Sequence, residues 1–104
     1  MNNNIIKAKN YKEAKAIFQV LDNKVRLKIL DILNQREKMT VSEIADELKL
    51  FHSVASLHLR ILKKYKILKT DVGKDTRKRE YSINKEKLVG YNNLVDKILQ
   101  YTSQ

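Results

Sequence analysis

A chain of 104 residues that is 42% hydrophobic and lacks proline fits one domain, residues 1–104, with a core of ordinary size. The absence of cysteine excludes a disulfide framework, a zinc thiolate cluster and a thiol switch, and no Gly-rich phosphate loop or Ser/His/Asp grouping supports an enzyme. Twenty-two Lys and Arg against 12 Asp and Glu leave a net charge of +10, which draws polyanions: nucleic acid first, an anionic membrane surface second.

The start, MNNNIIKAKNYK, lacks the apolar core of a signal peptide, and no run reaches the roughly 18 apolar residues of a membrane span. A cytoplasmic protein with no membrane partner is expected. Asn10 and Glu13 open a first helix over 10–21, in which Ala14, Ile17, Phe18 and Leu21 recur at i, i+3, i+4 and i+7. Asp22 is placed to cap a second helix with Val25, Ile29, Leu30 and Leu33 as its buried stripe and Arg26, Lys28 and Asp31 facing water. A polar break follows from Asn34 to Lys38.

Thr40 and Glu43 form a T-x-x-E capping box for a third helix, with Met39 and Ile44 at the positions of a hydrophobic staple. Val41, Ile44, Ala45 and Leu48 are its apolar face, and it ends near Lys49. Only Lys49 to Phe51 separate it from the next periodicity, Ala55, Leu59 and Leu62. Two short helices so closely joined cross steeply, which predicts a helix-turn-helix over 40–65. The second lacks a small residue at Phe51, leaving Ser53 as the alternative cap.

Opposite Ala55, Leu59 and Leu62, a helical wheel gathers His52, Ser53, Ser56, Leu57, Arg60 and Lys64. Short hydroxyls let a helix sink into a groove, imidazole and guanidinium bond base edges or phosphates, and Leu57 offers an apolar surface to thymine methyls. An ordinary solvated face accounts for the helix alone almost as well.

The segment that follows decides between them. Ile67–Val72 and Arg77–Ile83 are β-compatible runs around GKDT, with Leu68, Thr70 and Val72 on one pleat and Tyr81 and Ile83 facing inward, giving a hairpin over 67–83. Lys74, Arg77, Lys78 and Arg79 load its tip, and residues 63 to 81 carry eight basic residues against three acidic ones, half the net charge of the chain. A cationic ribbon beside a groove-reading helix points to double-stranded DNA.

Asn84 and Glu86 open a last helix over 84–101, with Leu88, Tyr91, Val95 and Ile98 spaced 3, 4 and 3, and Leu94, Leu99 and Tyr101 widening the stripe. So wide a stripe exceeds what a small core needs, and pairing with a second copy, with the first helix taking part through Ile17 and Phe18, would bury the surplus. The alternative is a terminal helix folded onto its own core. The fold expected is mainly α with a small β-hairpin.

LDNKVRLKILDIL, VSEIADELKL, VASLHLRILKKYKIL and the ending REYSI together resemble the ArsR/SmtB family of bacterial and archaeal winged helix-turn-helix transcription factors, over roughly residues 10 to 100. The most specific piece is Arg26, Ile29 and Leu30 combined with S-x-H-L at Ser56 to Leu59.

The resemblance implies about five helices and a two-stranded wing in a homodimer, usually a repressor on an imperfect palindrome. Ser53, Ser56, Leu57 and Arg60 then fall on base-reading positions, Arg77 on the wing arginine, Thr40 on a phosphate-touching helix start, and His58 on a position as often packed or phosphate-facing as base-reading.

Members that sense metals do so through cysteines where this chain reads TVSEI, or through histidines and carboxylates on the last helix, where it has only Glu86 and Asp96. No metal site and no cofactor are expected. The effector stays open, and the rival readings are a protein-interaction module and a nonspecific architectural or RNA-binding protein. Lys49 and Lys66 stand where glycines are common in the family.

Overall fold

The computed structural model describes residues 8–73 and 78–87. Helix α1 spans Ala8–Leu21, α2 Lys24–Arg36, α3 Val41–Leu48 and α4 His52–Lys64, and a fifth helix opens at residues 85–87. Strands β1 (Met39–Thr40), β2 (Leu68–Val72) and β3 (Arg79–Ile83) form one antiparallel sheet in the order β1-β3-β2. The expected wing is therefore part of a three-stranded sheet. Met39 pairs with Tyr81 and Thr40 with Glu80, so the residues that lead into α3 also form the sheet's third strand.

The core draws on every described element up to β2. Ile17 and Val20 of α1, Ile29, Ile32 and Leu33 of α2, Ile44 of α3 and Leu59 and Leu62 of α4 are buried together with Met39, Ile67 and Leu68. Tyr81 and Ile83 pack against this cluster from β3, and the register sets them opposite Thr70 and Leu68 on the expected pleat. Val72, two residues nearer the tip, is exposed because the hairpin has left the core by then.

Asn23, not Asp22, is the cap of α2: its Oδ1 accepts from the Arg26 backbone N–H at 3.0 Å, whereas the Asp22 N–H extends α1 by bonding to the Phe18 carbonyl. The polar break is also shorter than expected, since α2 runs on to Arg36. It stops at Glu37, where φ is 70° and ψ −59° and the Lys38 N–H bonds to the Arg36 carbonyl at 2.8 Å. That is a γ-turn with a positive central φ, a strained geometry costing on the order of 1–3 kcal/mol, and it reverses the chain into β1.

The capping box of α3 is complete. Thr40 Oγ1 accepts from the Glu43 N–H at 3.2 Å, and Glu43 Oε1 accepts from the Thr40 N–H at 2.9 Å. The bond from the Thr40 backbone N–H foremost, and the Thr40 hydroxyl second, hold the Glu43 carboxyl below the usual carboxylate range. Both helices of the motif end in the same way. Lys49 (φ 55°) and Lys66 (φ 62°) are left-handed, while the Leu50 and Ile67 N–H groups reach back to the Ala45 and Leu62 carbonyls. Lysine thus adopts the turn that glycine favours.

Candidate nucleic-acid interface

Helix α4 buries Ala55, Leu59 and Leu62 against the core and turns the opposite side outward. On that side His52, Ser53, Leu57, Arg60 and Lys64 are exposed and Ser56 is half-buried, the division expected from the wheel. Among the described residues, the side chains of His52, Ser53, Ser56 and Arg60 form no hydrogen bond or ion pair within the chain, whereas Lys64 Nζ lies 5.9 Å from the centre of the Tyr65 ring. Hydroxyl, imidazole and guanidinium groups left open on one helical face are what base edges and phosphates require.

Phe51 is the N-cap of α4 and makes no side-chain cap, and Ser53 does not substitute for it. Its carbonyl accepts from the Val54 and Ala55 N–H groups at 3.0 Å each, so the turn is fixed by backbone alone. A serine or aspartate here would typically add about 1 kcal/mol.

Lys78 and Arg79 are exposed where β3 begins, and Thr40, half-buried, has its oxygen committed to the capping box. Lys74 and Arg77 lie outside the described residues. So do Leu88, Tyr91, Leu94, Val95 and Ile98 of the expected dimer face. On α1, Ile17 is taken up by the chain's own core while Phe18 is half exposed, as is Leu27 on α2.

Arg26 departs from expectation. It does not face water: its Nε donates to the Val20 carbonyl at 2.6 Å, and its Nη1 lies 3.3 Å from His58 Nδ1. Arginine has no acceptor, so Nδ1 must accept and the imidazole proton resides on Nε2. Burial first, and the Arg26 charge second, push the His58 pKa down and so favour the neutral ring. The pair ties α2 to α4 across 32 residues of sequence, a link no local periodicity displays. A second link, Arg36 to Glu47 at 2.8 Å, joins the exposed ends of α2 and α3.

Residues 21–71 match a family described as a helix-turn-helix domain. An uncharacterized HTH-type transcriptional regulator of Methanocaldococcus jannaschii is 42% identical over 59 residues, 57% of this chain and 66% of that protein. A crystal structure of an ArsR family transcriptional regulator is 26% identical with a TM-score of 0.68, covering 89% of each chain. The chain carries a helix-turn-helix domain and is similar in sequence and fold to ArsR-family winged helix-turn-helix regulators. The transcriptional repressor PagR of Bacillus anthracis, at 26% identity and a TM-score of 0.69, is matched over 86% of this chain and 99% of its own. The same fold recurs in a homodimeric winged helix-turn-helix DNA-binding domain from Mycobacterium bovis, at 24% identity and a TM-score of 0.72 over 96% of this chain and 88% of that one.

The proteins that the chain resembles are helix-turn-helix transcriptional regulators. Among the described residues, no three His, Cys, Asp or Glu gather as metal ligands, and no helix is long and apolar enough to cross a membrane.

Proposed function

We propose that the chain is a cytoplasmic, homodimeric repressor that reads an imperfect palindromic operator in double-stranded DNA through α4 and grips the flanks with its wing. The observation that carries this reading is the exposed face of α4, on which His52, Ser53, Ser56 and Arg60 have no side-chain partner within the fold. Ser53, Ser56, Leu57 and Arg60 meet base edges, with His52 and Lys64 at either end of the face. Thr40, Lys78, Arg79 and, from the wing tip, Lys74 and Arg77 meet phosphates.

Two such helices in a symmetric pair enter successive major grooves about one helical turn apart. Phe18, together with the apolar positions from Leu88 to Ile98, supplies the dimer contact. The homodimeric state of the Mycobacterium bovis domain and the repressor activity of PagR support the assignment by likeness.

The test is fluorescence anisotropy against the chain's own upstream promoter and a shuffled duplex, over a salt series. A preference of about 10³-fold or more, with a steep negative salt slope, is the expected result. Arg60→Ala should cost about 1–3 kcal/mol on the preferred duplex and relax its sequence choice. Lys78→Ala should weaken all duplexes alike and reduce the slope by about one. Equal affinity for both duplexes would indicate an architectural protein, and salt-insensitive or absent binding an interaction module.

A further inference from the structure

Among the described residues five large hydrophobic side chains are exposed, and two belong to the reading helix: Phe51 at 81% and Leu57 at 49%. Leu57 stands among Ser53, Arg60 and Lys64 on the outward face. Phe51 stands at the leading end of α4, on a backbone held by the bonds from Val54 and Ala55 to its carbonyl. A phenyl ring has only two side-chain torsions to fix, so presenting it from a rigid turn carries a small ordering cost.

Neither side chain has a donor or an acceptor. They cannot distinguish the N7, O6, O4 or N4 groups that hydrogen bonds read, and the apolar group a natural base pair offers in the major groove is the C5-methyl of thymine. An apolar protein partner would account for Phe51 and Leu57 alone. It would not account for the cations Arg60, Lys63 and Lys64 exposed on the same helix, which complement phosphates.

We propose that Phe51 and Leu57 are specificity residues that read thymine C5-methyl groups, so that each operator half-site holds thymines at two positions where no hydrogen bond selects the base. The inference rests on the DNA-binding reading above and adds which chemical group of the operator is recognised.

The experiment selects duplexes from a random pool with the wild-type protein, then replaces each thymine of the selected site with uracil, removing one methyl and no hydrogen-bonding atom. At two thymines per half-site the wild type should lose about fourfold in affinity for each methyl removed. Leu57→Ala should no longer distinguish uracil from thymine at one of these positions, and Phe51→Ala at the other, with the remaining positions unchanged. Both residues are exposed and thermal unfolding checks that the variants fold, while the uracil series on the wild type requires no variant.

Indifference of the wild type to uracil at every position overturns the proposal, as does full wild-type discrimination in both variants. If the pool yields no preferred duplex at all, the DNA-binding reading itself has failed, a result distinct from either of these.

Discussion

Helices α3 and α4 close on the same left-handed turn, at Lys49 and Lys66, yet α3 opens on a complete capping box and α4 on a phenylalanine without a side-chain cap. At α3, polar side chains serve the fold: Thr40 and Glu43 satisfy each other's backbone, and Glu47 holds Arg36. On α4, His58 faces Arg26, but His52, Ser53, Ser56 and Arg60 have no side-chain partner within the chain. The first of the two is tied into the chain at its start, and the second leaves open the side chains that the proposed DNA reading uses. Stability devices are therefore concentrated one helix before the surface they position.

The shared helix ends offer the largest change. A left-handed non-glycine residue costs roughly 1–2 kcal/mol, a penalty glycine escapes. Lys49→Gly and Lys66→Gly should each raise stability by about 1 kcal/mol, and the double variant by about 2 kcal/mol if the turns are independent. Thermal unfolding should show a rise of about 4–8 °C for each. A fall at either site would mean that its lysine stem contributes packing that outweighs the backbone strain.

The helix starts should respond with opposite signs. Thr40→Ala removes the box and should cost about 1 kcal/mol, while Phe51→Ser supplies a missing cap and should gain about 0.5–1 kcal/mol. Denaturant midpoints at unchanged slope would measure both. If Phe51→Ser destabilises the fold, the ring has a packing role that its exposure does not reveal, and the contrast between the two helices is lost.

What could be read from the sequence follows the distance over which each feature is written. The Thr40–Glu43 box, the outward face of α4 and the β2–β3 pairing are written within a few residues and could be read directly. Strand β1 could not: two residues, Met39 and Thr40, show no alternation, and their partners Tyr81 and Glu80 are some 40 positions away. Arg26 carries every mark of a solvated helix position, and only folding reveals that the Val20 carbonyl and His58 stand beside it. Asn23 and Asp22 are both good caps by type, and the choice between them was settled by where α1 ended.

The Arg26–His58 contact gives the smallest of the expected effects, and its sign follows from the direction of the shift. Folding lowers the His58 pKa, so below about pH 6.5, the ordinary value for histidine, the unfolded chain takes up a proton that the folded chain resists. The contribution of His58 is fully present above that pH and declines as pH falls from there through the folded pKa. Wild type should therefore lose more thermal stability than His58→Gln between about pH 7.5 and about pH 5.5, since glutamine keeps an acceptor for Arg26 but does not titrate. Every other titrating group is common to both proteins and cancels in the difference. Burial is the larger cause of the shift and the Arg26 charge the smaller, so Arg26→Met should remove only part of the pH dependence that His58→Gln removes. Parallel pH profiles for wild type and His58→Gln would show that the ring is not held neutral, and that the tie between α2 and α4 does not depend on its protonation.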